Sequence, residues 1–152
     1  MIKYVKEDTS VCFAEICDEI SLGFNLSCCP HRCPGCHSAY LQTSIGEELT
    51  TTIIEELINK NRGITCVVFL GGDNDKETMK SFGKFVKSKN LKSAWYSGET
   101  ELDLNEYGKY FDFIKVGPYI ESLGPLDSKT TNQRLYHIEN GNIEDITYRF
   151  WR

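Results

Sequence analysis

The strongest chemical signal in this sequence is the stretch "SCCPHRCPGCHS" at residues 27–38, which we call the cysteine loop. It holds four of the chain's seven cysteines, namely Cys28, Cys29, Cys33 and Cys36. The first residues, "MIKYVKEDTS", lack the apolar segment of a secretion signal, which predicts a reducing compartment. Clustered cysteines in such a compartment are typical of metal or redox sites and rarely form disulfides. The loop therefore predicts a metal centre.

Zinc binding and thiol redox chemistry each explain only part of the loop. Tetrahedral zinc sites usually use two cysteine pairs, whereas this chain has one pair of that spacing, Cys33 and Cys36. The further donors that a zinc site would need are His31, His37 and Cys66. A redox pair of Cys33 and Cys36 would leave Cys28 and Cys29 without a role. An iron–sulfur cluster, which takes several thiolates from closely spaced positions, fits the loop best.

The loop offers two sets of ligands for such a cluster. Cys28, Cys33 and Cys36 have the C-x4-C-x2-C spacing of plant-type ferredoxins, which requires a distant fourth cysteine. Cys66 is the candidate for that fourth ligand. Cys29, Cys33 and Cys36 instead form C-x3-C-x2-C, which supplies three thiolates and leaves one iron of a cubane open to another ligand. The spacing alone leaves both sets open.

The segments around the loop alternate between strand and helix patterns. Apolar or alternating runs predict strands at residues 11–17, 20–27, 64–70, 91–98 and 111–120. Apolar residues at helical spacing predict helices at residues 50–63, 75–90 and 102–110. Residues 133–151 predict a hairpin around Asn140-Gly141-Asn142. The run at 64–70 is apolar throughout, which is typical of a strand in a parallel sheet that is buried on both faces.

This alternation predicts an α/β fold in a single domain, residues 1–152, with a mostly parallel sheet and a C-terminal β-hairpin. The chain is too short for a closed eight-stranded barrel, which takes about 250 residues. Ligands of such folds bind at the carboxyl ends of the strands. Those ends carry the cysteine loop and the sequences "GGDN", "YSGE" and "KVGP". We expect these four loops to form one site.

Composition narrows the classes of partner. The net charge of −5 argues against a nucleic-acid partner that is held by a basic surface. The sequence contains no apolar run near the ~18 residues of a membrane span. With 40% hydrophobic and 12% aromatic residues, the chain has enough apolar side chains for a core. We therefore expect a cytoplasmic protein that binds neither nucleic acid nor membrane.

The cysteine loop and the run "FLGGDND" at residues 69–75 together resemble the radical SAM superfamily. The resemblance implies a partial (βα) barrel of the radical SAM type. It also implies a 4Fe–4S cluster whose catalytic ligands are Cys29, Cys33 and Cys36, with the open iron binding S-adenosylmethionine (SAM). The SAM contacts that it implies are Gly71, Gly72 and Asp73 for the amino group, Lys115 for the carboxylate, and Ser97 for the methionine or ribose end.

Four further stretches are similar to the anaerobic (class III) ribonucleotide reductase activating enzymes, over residues 11–136. These stretches are "CPGCHSAYLQ", "SAWYSGE", "FDFIKVGPYI" and "TTNQRLY". The resemblance implies a partner, an anaerobic ribonucleoside-triphosphate reductase, on which SAM-derived radical chemistry generates a glycyl radical. It implies flavodoxin or ferredoxin as electron donor. The alternatives are a ferredoxin-like electron-transfer protein and an activase of another glycyl-radical enzyme, such as pyruvate formate-lyase.

Other histidines and cysteines have simpler expected roles. We expect His31 to lie on the solvent side of the cysteine loop and His37 to cap the following helix. Cys12, Cys17 and Cys66 lie in apolar strand patterns, which predicts that they are small core residues.

Overall fold

The computed structural model describes residues 1–36 and 38–151, and a mixed seven-stranded sheet forms their centre. In chain order the strands are β1 (Lys3–Tyr4), β2 (Ser10–Cys12), β3 (Ser21–Asn25), β4 (Glu47–Glu48), β5 (Cys66–Leu70), β6 (Lys92–Tyr96), β7 (Phe113–Val116), β8 (Arg134–Glu139) and β9 (Asn142–Asp145). The helices are α1 (Thr51–Lys60), α2 (Lys76–Ser88) and α3 (Leu104–Tyr107). The large sheet has the order β2-β3-β5-β6-β7-β8-β9, while β1 pairs with β4 separately.

Strands β3, β5, β6 and β7 are parallel and form the middle of the large sheet. The central strand β5 has the sequence "CVVFL", and four of its five residues are buried. Its two valines are β-branched, which favours extended backbone, and as neighbours they point to opposite faces of the sheet. Both valines are fully buried, so β5 is covered on both faces, as its apolar run predicts.

Helix α2 shows how the sequence builds the layer of helices on one face. Asp75 precedes the helix, and its carboxylate accepts a hydrogen bond at 3.2 Å from a backbone N–H of the first turn. Met79, Phe82 and Val86 recur at helical spacing and are buried. Phe82 stacks on Phe69 of β5 with 5.7 Å between the ring centroids. Among the described residues, no helix combines the length and apolar character that a membrane span requires.

The face of the sheet opposite the helices is covered partly by the chain that follows β2. The prediction of a strand over residues 11–17 is wrong beyond Cys12, where β2 ends. Phe13 is 70% exposed, whereas Ile16 is fully buried in an apolar cluster on that face. The chain turns back over the sheet because Ile16 packs onto it. Alternating apolar residues do not distinguish such a turn from a strand.

Antiparallel strands flank the parallel centre on both sides. Strand β2 pairs with β3, and β8 pairs with both β7 and β9. Strands β8 and β9 form a hairpin in which Asn140 and Gly141 are the connecting residues. Within the described ranges the sheet is open, with edges at β2 and β9. A partial barrel of the radical SAM type stays a prediction.

Candidate metal centre

The cysteine loop leaves β3 at the rim where the parallel strands end. Strands β3, β5, β6 and β7 run in one direction, so their carboxyl ends lie at the same edge of the sheet. Ser27 is fully buried at the start of the loop. The backbone N–H groups of Cys28 and Cys29 donate to the carbonyl oxygens of Thr43 and Leu41 at 3.0 and 2.9 Å. These hydrogen bonds fix the backbone of the first two cysteines at the rim.

The thiol of Cys29 lies within electrostatic range of Cys33, Cys36 and Asp73. Burial raises the pKa of Cys29, a contact with the backbone of His31 opposes this, and the nearby charges of Asp73, Cys33 and Cys36 raise it further. The Cys29 thiol donates to the His31 carbonyl oxygen at 3.6 Å. A metal centre bound among these thiols would instead lower their pKa, because metal ions favour the deprotonated thiolate.

Cys28 differs from Cys29 in backbone conformation and in surroundings. Its φ is +59°, in the left-handed region that side chains other than glycine rarely adopt. The pKa of the Met1 amine is raised mainly by the hydrogen bond that it donates to the Asp75 carboxylate, and the charge of Cys28 is among the weaker influences that raise this pKa. Cys28 therefore lies within electrostatic range of the Met1 amine, and Cys29 within range of Asp73, Cys33 and Cys36. Which of the two adjacent cysteines is a cluster ligand stays a prediction.

Gly71 and Gly72, which follow β5, both have positive φ, at +112° and +102°. A Cβ on Gly71 would lie 3.0 Å from the carbonyl oxygen of Leu26, and one on Gly72 would lie 2.4 Å from Sδ of Met79. The carbonyl oxygen of Gly71 accepts a hydrogen bond from Nε1 of Trp95 at 2.7 Å. The two glycines therefore allow close packing between the rim, the cysteine loop's strand and helix α2.

Asp73 and Ser97 bind each other at the centre of the rim. Both are buried. The Ser97 hydroxyl donates to Oδ1 of Asp73 at 2.6 Å, and the Gly98 N–H donates to Oδ2 at 2.8 Å. The Ser97 oxygen also accepts from the N–H of Glu99 at 3.0 Å. The structure thus brings these two predicted SAM contacts together. Their polar groups form hydrogen bonds with each other and with neighbouring backbone groups of the same chain.

His31 is partly exposed to solvent, and its imidazole also lies against the rim. Its Nε2 is 2.9 Å from Oδ2 of Asp73 and 3.1 Å from Oε1 of Glu99. The side chain is 22% exposed. A Cβ added to Gly98 would lie 2.7 Å from Cδ2 of His31, so the imidazole packs flush on that glycine. Sequence reasoning missed these contacts because the partners lie in loops remote from His31 along the chain.

Lys115 places a buried ammonium group within electrostatic range of Asp73 and of the thiols of Cys29, Cys33 and Cys36. Its Nζ donates to the carbonyl oxygens of Ser97 and Gly117, both at 3.0 Å. Burial lowers the pKa of Lys115 to about 8, and the charges of Asp73 and these three cysteines oppose that shift. An ammonium has three N–H donors, so one remains for a ligand. The rim therefore offers a buried cation, and the contact of Lys115 with a carboxylate group of SAM stays a prediction.

The other cysteines lie away from this group. Cys66 is fully buried at the amino end of β5, and burial raises its pKa to about 12. The cysteine loop lies near the carboxyl end of the same sheet, about 13 Å away for four residue steps along a strand. The prediction that Cys66 is a small core residue is confirmed; Cys12 and Cys17 are half-buried. The prediction for His37 falls outside the described residues.

The donor set of the loop fits an iron–sulfur cluster. The described cysteines are free thiols, and the loop cysteines are only partly buried, which leaves them accessible to iron. Thiolates are the usual protein ligands of such clusters. Cys29, Cys33 and Cys36 stay the predicted ligands of such a cluster.

Comparison with known proteins agrees with this chemistry. The model of the family described as "4Fe-4S single cluster domain" matches residues 21–138 of the chain. The matched span begins at the first residue of β3 and ends within β8, so it contains the cysteine loop and the rim. No curated protein and no solved structure matches the chain. The prediction of a 4Fe–4S cluster is thus confirmed, in preference to zinc or a thiol redox pair.

Proposed function

Since the chain belongs to the family of 4Fe–4S single cluster domains, we propose that it is a radical SAM activase of an anaerobic ribonucleoside-triphosphate reductase. One observation carries the proposal. Three thiols, those of Cys29, Cys33 and Cys36, lie within electrostatic range of the buried Lys115 ammonium, which is fixed at the carboxyl ends of the parallel strands. A site of this kind holds a cluster and an anionic group side by side.

The arrangement of cysteines favours a cluster with three protein ligands. Cys28 lies toward Met1, and Cys66 lies at the opposite end of β5 from the loop. We propose that neither is a fourth ligand together with Cys29, Cys33 and Cys36. One iron of a cubane would then lack a protein ligand, which leaves it available to the amino and carboxylate groups of SAM.

When bound, a reduced 4Fe–4S cluster supplies one electron to the SAM sulfonium, whose C5′–S bond breaks to give methionine and a 5′-deoxyadenosyl radical. In the proposed reaction the α-hydrogen of a glycine in the reductase would pass to the 5′-deoxyadenosyl group, which would leave 5′-deoxyadenosine and a glycyl radical on the partner. The electron comes from an external donor, for which we propose flavodoxin or ferredoxin. The protein orients the reactants and excludes side reactions.

The chain's own residues orient SAM through charge and shape. With a pKa of about 8, Lys115 is mainly protonated at pH 7, and its remaining N–H would bind the methionine carboxylate. Gly71 and Gly72 leave the rim without side chains where the amino group would approach. Asp73 and Ser97 hold the rim in shape through their mutual hydrogen bond. In this proposal Ser97 acts on SAM through Asp73 and the loop, because its hydroxyl is fully buried.

An open sheet suits a protein substrate. Strands β2 and β9 are edges of the described sheet, so the site is not enclosed by a complete barrel. A radical formed at an open rim would react with small molecules in solvent. A loop of the partner reductase that carries the target glycine would close this opening and exclude them.

Anaerobic cleavage of SAM by the reconstituted, dithionite-reduced protein tests the proposal. We expect wild type and Cys28→Ala to form 5′-deoxyadenosine, and Cys29→Ala to form none. With the reductase added, the glycyl radical should be visible by electron paramagnetic resonance (EPR). A protein that contains its cluster, accepts electrons and leaves SAM intact would overturn the proposal in favour of an electron carrier.

A further inference from the structure

His31 connects the cysteine loop to two other loops of the rim. It lies between Cys29 and Cys33 in the chain, and its ring reaches Asp73 after β5 and Glu99 after β6. Both facing atoms are carboxylate oxygens, so Nε2 is the donor. The contact therefore joins the segment between two proposed cluster ligands to the loops that would bind SAM.

The anchor for His31 is rigid. Asp73 has a side chain only 2% exposed, and it also accepts hydrogen bonds from the Ser97 hydroxyl and the Gly98 N–H. The Lys115 ammonium in turn donates to the Ser97 carbonyl oxygen at 3.0 Å. The ring of His31 also packs against Gly98, where any side chain would displace it. Hydrogen bonds and packing thus hold the imidazole in one position.

We infer that His31 is a positioning residue, which fixes the cysteine loop against the rim and so sets the distance between the cluster and bound SAM. The inference rests on the proposed function. Without the His31–Asp73 contact, the loop still has the three thiols that hold a cluster, and its start is still fixed at Cys28 and Cys29. Removing His31 should therefore spare cluster assembly and weaken the encounter of the cluster with SAM.

A cation site is the competing explanation for the same residues. The ligand atoms of His31, Asp73 and Glu99 lie within 4.8 Å of one another. Protein donors already occupy both oxygens of Asp73, and Nε2 of His31 points to oxygen atoms as a hydrogen-bond donor. These groups satisfy one another without an ion, which favours the positioning role.

The test compares wild type with His31→Ala and His31→Gln in the reconstituted protein. Glutamine carries an N–H donor near the position of Nε2, so it should restore the contact. The matched control is His137→Ala, which removes an imidazole that stacks on Phe113, away from the loop, with centroids 4.7 Å apart. Iron per chain, the EPR spectrum of the reduced cluster with and without SAM, and the SAM dissociation constant are measured for each.

We expect equal iron content in all four proteins. The dissociation constant of SAM should rise about tenfold or more in His31→Ala. Loss of a hydrogen bond to a charged group lowers the fraction of molecules in which the cysteine loop lies correctly against the rim. The SAM-induced change in the EPR spectrum should shrink in parallel, and His31→Gln should recover most of both. An unchanged dissociation constant in His31→Ala would overturn the inference, as would an equal loss in His137→Ala.

Limited digestion separates this inference from the proposed function. Arg32 is exposed next to His31, so trypsin cleavage at Arg32 reports release of the loop without any need for SAM. In the reconstituted protein, we expect faster cleavage at Arg32 in His31→Ala than in wild type or His31→Gln. If SAM did not change the EPR spectrum of wild type, the proposed function would fail. Digestion would still test whether the His31–Asp73 contact holds the loop. Equal cleavage rates in all variants would refute the positioning role itself.

Discussion

Nζ of Lys115 lies 3.0 Å from the carbonyl oxygen of Ser97, so a buried ammonium is fixed at the end of the neighbouring strand. The hydroxyl of the same serine binds Asp73 at 2.6 Å, which places a carboxylate behind the cation. Burial of a charge is unfavourable without such partners. A position that keeps a costly cation beside three thiols is better explained by ligand binding than by folding.

The buried Lys115 predicts how stability depends on pH. Its pKa is about 8 in the folded chain, against an ordinary 10.5. Between these values the unfolded chain binds more protons, so the contribution of Lys115 to the free energy of unfolding rises with pH. Relative to Lys115→Met, cluster-free wild type should gain at most roughly 3 kcal/mol from pH 8 to pH 10.5. Urea unfolding of both proteins measures the difference, and a difference that is flat with pH would contradict it.

Iron content should separate the two adjacent cysteines. Replacing Cys29 removes a thiol from the group that faces Asp73, whereas replacing Cys28 removes one that lies toward Met1. We expect Cys28→Ala to keep its iron after anaerobic reconstitution and Cys29→Ala to lose most of it. Iron and sulfide analysis with the visible absorption spectrum measures this. Loss of the cluster from Cys28→Ala alone would support the plant-type set of ligands.

The same assay on Cys66→Ala tests the electron-carrier alternative. Cys66 lies fully buried at the end of β5 that is remote from the loop, so its removal should leave iron content unchanged. Its thiol is part of the core, and we expect a loss of about 1 kcal/mol in the free energy of unfolding from the space left behind. If Cys66 were the fourth ligand of a ferredoxin-like cluster, the Cys66→Ala variant would instead lose iron.

Much of the fold could be predicted because its signals are local. The apolar run of β5 and the helical spacing of Met79, Phe82 and Val86 depend on neighbouring residues alone. The short turn at Asn140 and Gly141 is equally local. The strand predicted over residues 11–17 failed because its alternation reflects packing onto the sheet face, which depends on residues far along the chain.

The site was only partly predictable for the same reason. The spacing of the cysteines identified the cluster loop, but it leaves Cys28 and Cys29 as alternative first ligands, and the iron analysis of the two variants distinguishes them. The partner of His31 lies 42 residues away, and no pattern around the histidine indicates it. Ser97 was expected to contact a ligand, yet it binds Asp73, because the two strand ends meet only in the folded sheet.

Packing at Gly72 predicts a large effect from one methyl group. Gly72 and Gly63 both have positive φ, at +102° and +94°, so alanine at either position should incur similar backbone strain of about 1–2 kcal/mol. At Gly63 an added Cβ would meet nothing within 4 Å, while at Gly72 it would lie 2.4 Å from Sδ of Met79. We expect Gly72→Ala to cost at least about 2 kcal/mol more than Gly63→Ala in the free energy of unfolding, from overpacking.

Met79 supplies the control for that difference. Met79→Ala removes the side chain that the new methyl group would strike, at a cost of its own as a buried residue. The double variant of Gly72→Ala and Met79→Ala should therefore be more stable than the sum of the two single losses predicts. Denaturant unfolding of the four proteins in this cycle measures the coupling. Strict additivity would mean that Gly72 is required for its backbone conformation alone, and that contact with helix α2 does not restrict the rim.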